Sequence, residues 1–200
     1  MSLANLITLA RLPLLLVLVA LLFVSSFGWQ LLGLLLLIVL FLMDWFDGYV
    51  ARVRHEVTEM GAVLDVALDR SVENILWITF AYLAMAPLWV PIVFLLRSFI
   101  VDGIRGVALT RGKSGFGMMH TAMGRFLVAS RFMRALYGLA KAVVFSLLYL
   151  THALALKYPS AALALHPLNQ GLILFTVALC VIRGIPVLLD GRIYFRGQEH

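Results

Sequence analysis

Four aspartates, Asp44, Asp47, Asp65 and Asp69, carry the most distinctive chemistry in the sequence. Asp44 and Asp47 stand three residues apart, and Gly48 and Ala51 continue their stripe with small side chains. Gly61, Asp65 and Asp69 follow one another at intervals of four. On a helix, residues three or four apart share a face. With the two sets at the facing ends of two antiparallel helices joined by a short loop, all four carboxylates converge. Bare carboxylates so placed repel one another, and each costs roughly 2.5–3.5 kcal/mol at the centre of a membrane span, less near the interface. Divalent cations that prefer oxygen ligands, Mg²⁺ or Mn²⁺, are the natural counter-charge. Two such ions held close together can clamp a phosphoryl group during its displacement. Gly48 and Gly61 leave room for a nucleotide or a neighbouring helix to approach the backbone. Arg52, one turn beyond Gly48, can offer a planar fork to phosphate oxygens.

The elements that must position these residues are read from the apolar runs. Of 200 residues, 63% are hydrophobic and only 13% charged, with a mean hydropathy of +1.02; a soluble domain carries about 25% charged residues. Apolar runs of bilayer-spanning length recur along the whole chain. Six spans are expected, at roughly 6–24, 31–50, 61–85, 88–109, 121–150 and 170–189. Turns punctuate them at 25–30, 86–87 and 111–117, and the longest loop holds Tyr158-Pro159-Ser160 and His166-Pro167. The first run, Leu12 to Val24, leads into Ser25-Ser26-Phe27-Gly28-Trp29 with no clear small-x-small cleavage site, so it reads as a retained span. The expected fold class is an all-α integral membrane protein with six transmembrane helices, a single domain over residues 1–200 and an active site at the cytoplasmic ends of helices 2 and 3.

An even number of spans puts both termini on one side. With that side cytoplasmic, Arg52, Arg54, Arg111, Lys113, Arg192 and Arg196 all fall inside, as the positive-inside rule requires. In a bacterium this is a multi-pass protein of the inner membrane. The net charge of +6 does not indicate nucleic acid, because the cations lie between apolar runs, at their ends and, in several cases, inside the spans, a placement that fits membrane topology. The lone Cys180 excludes a disulfide within the chain and a cysteine-only metal centre. Arg111-Gly112-Lys113-Ser114 fails as a phosphate loop, since Val107 stands where a glycine is needed. Arg131, Arg134 and Lys141 recur at helical spacing with no role assigned, and the scattered histidines show no metal-ligand spacing.

The run Asp44-x2-Asp47-Gly48-x2-Ala51-Arg52-x8-Gly61-x3-Asp65-x3-Asp69 resembles the signature of the CDP-alcohol phosphotransferases, also called CDP-alcohol phosphatidyltransferases, at every fixed position and without insertion. Within that family the chain is similar to phosphatidylglycerophosphate synthase-like members. The resemblance implies transfer of a phosphatidyl group from CDP-diacylglycerol, or a similar CDP-linked lipid, to a small alcohol acceptor, with CMP leaving. It implies that Asp44, Asp47, Asp65 and Asp69 bind two Mg²⁺ or Mn²⁺ ions and that Asp69 is the general base on the acceptor hydroxyl. It assigns Gly48, Ala51, Arg52, Thr58 and Gly61 to the CDP moiety, joined by Asn5 and Thr8 from the entry segment Asn5-Leu6-Ile7-Thr8-Leu9-Ala10-Arg11. Arg97, Arg105 and Arg125 match the kind of intramembrane cation that binds the phosphate of a phosphorylated acceptor. A homodimer is implied as well. Glycerol-3-phosphate, an inositol phosphate, serine and a second lipid stay open as acceptors. The competing function class is a divalent-cation transporter with an intramembrane carboxylate site, which favours midplane sites and repeat symmetry not visible here.

Overall fold

Helices follow from the uninterrupted apolar sequence. In a hydrocarbon environment each backbone amide and carbonyl must be satisfied, and an α-helix does so within its own segment. The computed structural model describes residues 3–53, 59–110 and 124–196. Every regular element among them is helical: α1 (Leu3–Leu22), α2 (Phe27–Val53), α3 (Glu59–Tyr82), α4 (Trp89–Thr110), a π-helical segment (Arg125–Ala129), α5 (Arg131–Lys157) and α6 (Pro159–Arg196). Three of them contain stretches long and apolar enough to cross a membrane: Phe27–Phe46 in α2, Arg131–Lys157, and Pro159–Asp190 in α6.

α1 to α4 fall close to the first four expected spans. The fifth and sixth differ. A single helix over 121–150 is replaced by the π-helical segment, an extended Ser130 (φ −65°, ψ 143°) and then α5. Ser130 caps the new start: its Oγ accepts from the Met133 backbone N–H at 3.2 Å, the usual N-cap device of a hydroxyl three residues before the amide it satisfies. The expected long loop around 158–167 is helical instead. α5 continues to Lys157 and α6 begins at Pro159. Proline at the first position of a helix loses no hydrogen bond, because that amide has no intrahelical partner in any case. Pro167 is then carried inside α6.

The helices group into two compact units. The first comprises Met1–Leu88 and Ala142–Gln170. In it α1 packs against α2 and α3, burying the stripe Thr8, Arg11, Leu15, Leu18 and Leu22. These positions alternate by three and four, which is one face of a helix. The last turn of α1 is held by Gln30, whose Nε2 lies 2.9 Å from Leu21 O, 3.1 Å from Leu22 O and 2.8 Å from Val24 O. His152 Nε2 lies 3.0 Å from Leu22 O. Carbonyls that a helix end leaves unsatisfied are thereby paired.

α2, α3 and α5 meet around Phe145. Its ring centroid is 4.8 Å from Trp77, 5.7 Å from Phe80 and 6.2 Å from Phe41, within the range of favourable aromatic pairs. Nearby, Gly33 of α2 faces the fully buried Tyr149 of α5; a Cβ there would lie 1.9 Å from the phenol oxygen. α3 ends on Ala84 at φ 56°, with Met85 N donating to Phe80 O at 2.9 Å. This is a Schellman closure built on a residue other than the usual glycine.

The second unit comprises Trp89–Lys141 and Gly171–His200. Val101 and Ile104 of α4, Val128 of the π-helical segment and Val187 of α6 form its apolar cluster, with Leu127 against it.

Candidate active site

The aspartates enter the structure on the two helices expected of them. Asp44 and Asp47 lie in the last three turns of α2, and Asp65 and Asp69 in the first three turns of α3. Asp44, Asp65 and Asp69 converge, and the point on which they converge is a side chain the aspartate pattern does not contain: Arg11 of α1. Its Nη1 lies 2.6 Å from Asp44 Oδ1 and 3.8 Å from Asp65 Oδ1, and its Nη2 lies 3.8 Å from Asp69 Oδ1. The first contact is a close ion pair. The other two exceed hydrogen-bond range and act through charge. The guanidinium side chain is 1% exposed, whereas the carboxylates it draws together are 42%, 52% and 40% exposed. The cation is thus the buried member and the acids form the open rim.

Arg11 reaches this position because it continues the buried stripe of α1, one turn after Thr8, itself buried. A guanidinium enclosed by helices requires anionic partners, and α2 and α3 supply them. The sequence signal was available: Arg11 is a cation within a long apolar run. Its partners, 33, 54 and 58 residues away, were not legible from spacing.

Other expected residues are placed only in part. Gly61 is half-buried near the start of α3. The side chains of Asn5, Asp47, Gly48, Ala51, Arg52, Arg105 and Arg125 lie outside the described residues, as does Thr58 altogether. Beside Asp69, Arg70 donates to the buried Glu73 at 2.8 Å. Glu73 therefore has a guanidinium on its own helix.

Within the second unit, Arg97 belongs to a cluster of cations. Its guanidinium carbon is 5.7 Å from the centroid of the Tyr137 ring, Lys141 Nζ is 4.9 Å from it, and the Arg183 guanidinium carbon is 5.1 Å from it. All four side chains are buried. Arg183 Nη1 also donates to the Met133 carbonyl. Arg97 Nε and Nη1 have no hydrogen-bond partner among the described residues. Gly184 gives Arg97 its space, since a Cβ there would come within 3.3 Å of Arg97 Cγ. Sequence reading picked out Arg97 but passed over Arg183, a cation inside the last apolar run, and left Lys141 without a role.

Whether the acidic group suits a divalent ion rests on donor chemistry. Among the described residues no three His, Cys, Asp or Glu side chains close into metal-holding geometry. The donors present are nonetheless all carboxylate oxygens, from two helices, gathered within 4 Å of one cationic centre. That set fits a hard, oxygen-preferring cation.

Residues 1–182 match the family described as CDP-alcohol phosphatidyltransferase. A Bacillus subtilis protein named CDP-diacylglycerol–glycerol-3-phosphate 3-phosphatidyltransferase is 32% identical over 125 residues, 56% of this chain and 64% of the relative. A Mycobacterium tuberculosis protein provisionally named a cardiolipin synthase is 31% identical over 87 residues, 44% of this chain and 40% of the relative. A Rickettsia bellii protein with the same name as the Bacillus one is 30% identical over 104 residues, 52% of this chain and 58% of the relative. The chain therefore spans less than two thirds of the length of these relatives.

Proposed function

This chain belongs to the CDP-alcohol phosphatidyltransferase family and is a multi-pass integral membrane protein; from that premise we propose that it transfers a phosphatidyl group from a CDP-linked lipid to a small alcohol. The observation that carries the proposal is the convergence of Asp44, Asp65 and Asp69 at the adjoining ends of α2 and α3. The acceptor oxygen attacks the lipid-side phosphorus of CDP-diacylglycerol, the bond from that phosphorus to the CMP oxygen breaks, and CMP leaves with the electron pair. Asp69 takes the hydroxyl proton. Asp44, Asp47, Asp65 and Asp69 would hold two Mg²⁺ or Mn²⁺ ions, which would supply stabilisation of the charge developing on the pyrophosphate. Gly48, Ala51, Arg52, Thr58 and Gly61 receive the CDP moiety, with Asn5 and Thr8 of α1 at its border. The match over residues 1–182 favours this reading over the divalent-cation transporter.

Glycerol-3-phosphate is the acceptor we propose, since two of the relatives are named for it. Three buried cations, Arg97, Lys141 and Arg183, stand around Tyr137, and two Arg97 nitrogens have no hydrogen-bond partner among the described residues, a setting that suits a phosphate group. Arg105 and Arg125 are assigned to the same task on charge alone. Six spans formed by α1 to α6, both termini on the cytoplasmic side, and a homodimer complete the proposal. α1, α3 and α4 have 20, 24 and 22 residues, enough to cross about 30 Å of hydrocarbon.

The test is CMP release from CDP-diacylglycerol by purified protein in detergent, with Mg²⁺ or Mn²⁺ and a panel of acceptors. Release that requires glycerol-3-phosphate and stops on chelation is expected. Release with serine or with a second lipid instead would replace the acceptor and keep the class. No release with any acceptor from folded protein would refute the transferase reading.

A further inference from the structure

We propose that Arg11 is a built-in counter-ion of the carboxylate group, which holds Asp44, Asp65 and Asp69 together and competes with divalent ions for their oxygens. The inference rests on the metal-dependent reading above and adds a residue that neither the aspartate pattern nor the comparisons assign.

The geometry supports both halves. Three carboxylates on two helices all reach one guanidinium, within 3.8 Å. Without that charge their mutual repulsion would push α2 and α3 apart at this end. The cation itself is fixed, because Arg11 is 1% exposed and sits on the buried stripe of α1, whose far end is held by Gln30 and His152. It therefore cannot leave for solvent when a metal ion arrives. A divalent ion bound by these carboxylates, at roughly 2.1 Å from their oxygens, would lie roughly 6 Å or less from the guanidinium. Repulsion between a single and a double positive charge at roughly 6 Å weakens binding about tenfold even in the dielectric of bulk water. Arg11 thus keeps the acids gathered and keeps metal affinity moderate. It is a positioning residue: it acts through the aspartates rather than on substrate.

The measurement is Mn²⁺ binding by calorimetry to metal-depleted full-length protein in detergent, with thermal unfolding recorded with and without Mn²⁺. In Arg11→Gln the charge is gone, so the Mn²⁺ Kd should fall about tenfold while the metal-depleted protein unfolds at lower temperature and recovers when Mn²⁺ is added. A merely structural arginine would lower stability with and without Mn²⁺ alike, and its loss would leave Kd unchanged or weaker; either result overturns the inference. Arg11→Lys keeps the charge and loses the fork. It should unfold earlier than wild type yet bind Mn²⁺ within about twofold of it, and it decides the question by itself if Arg11→Gln does not fold. A tenfold change in Kd in the lysine variant, in either direction, refutes charge competition. Absence of Mn²⁺ binding in wild type would bring down the metal-dependent reading and this inference together, whereas normal binding without tightening in Arg11→Gln brings down this inference alone.

Discussion

Gly33→Ala is the sharpest structural perturbation available in the first unit. The added Cβ would lie 1.9 Å from Tyr149 Oη, 2.6 Å from Cζ and 3.1 Å from Cε1. Ordinary contact needs about 3.5 Å, so the phenol end must retreat by roughly 1.5 Å. Tyr149 is fully buried and its ring direction is set by α5, so the retreat has to move α5 away from α2. Overpacking of this kind costs about 3 kcal/mol, and the better helix propensity of alanine returns about 1 kcal/mol. A net loss of about 2 kcal/mol lowers the midpoint of thermal unfolding by about 4–8 °C for a chain of this size. Thermal unfolding in detergent, followed by the fraction remaining as a discrete peak in size-exclusion chromatography, reads this directly. Tyr149→Phe provides the control. Tyr149 Oη has no hydrogen-bond partner among the described residues, so its removal should cost little in wild type and should restore part of the loss in the double variant. An unchanged midpoint in Gly33→Ala, or a double variant less stable than Gly33→Ala, would refute the close approach of α2 to α5.

Three further outcomes follow from the site and the helix ends. Asp69→Asn should abolish CMP release while CDP-diacylglycerol still binds; normal release would remove Asp69 from the role of base. Arg97→Gln should raise KM for glycerol-3-phosphate at least about tenfold through loss of a charge-assisted contact, with KM for the CDP-lipid unchanged, as steady-state kinetics with each substrate varied in turn would show. Ala84→Gly should stabilise the protein by about 1 kcal/mol, since glycine adopts the positive φ at the end of α3 without penalty, visible as a rise of about 2–4 °C in the unfolding midpoint.

Much of the candidate site was legible before any coordinates. Asp44, Asp47, Asp65 and Asp69 are bound to one another by helical spacing, and spacing within a continuous helix is a local property. The same holds for the first four helices, whose ends at the Ser25 and Pro87 turns fall close to where apolar sequence and turn residues place them. Legibility failed where two local signals competed. Ser130 reads as an ordinary polar residue in a helical run until the Met133 amide is found on its hydroxyl. Pro159 and Pro167 read as loop until proline is allowed at a helix start and inside an apolar helix.

The sequence by itself determined the class of the protein: apolar runs too long for a soluble domain, interrupted by few charges, leave few folds other than a helical membrane protein. It also determined which acids could act together, because periodicity alone sets the face of a helix. Which cation meets those acids was decided only in three dimensions. Arg11 finds Asp44, Asp65 and Asp69 because α1 docks on α2 and α3 along a buried stripe. Arg97, Lys141 and Arg183 surround Tyr137 because α4, α5 and α6 bring them to one ring. Contacts of this kind depend on how helices pack, a property of pairs of elements distant in the chain, and no spacing within one helix encodes it.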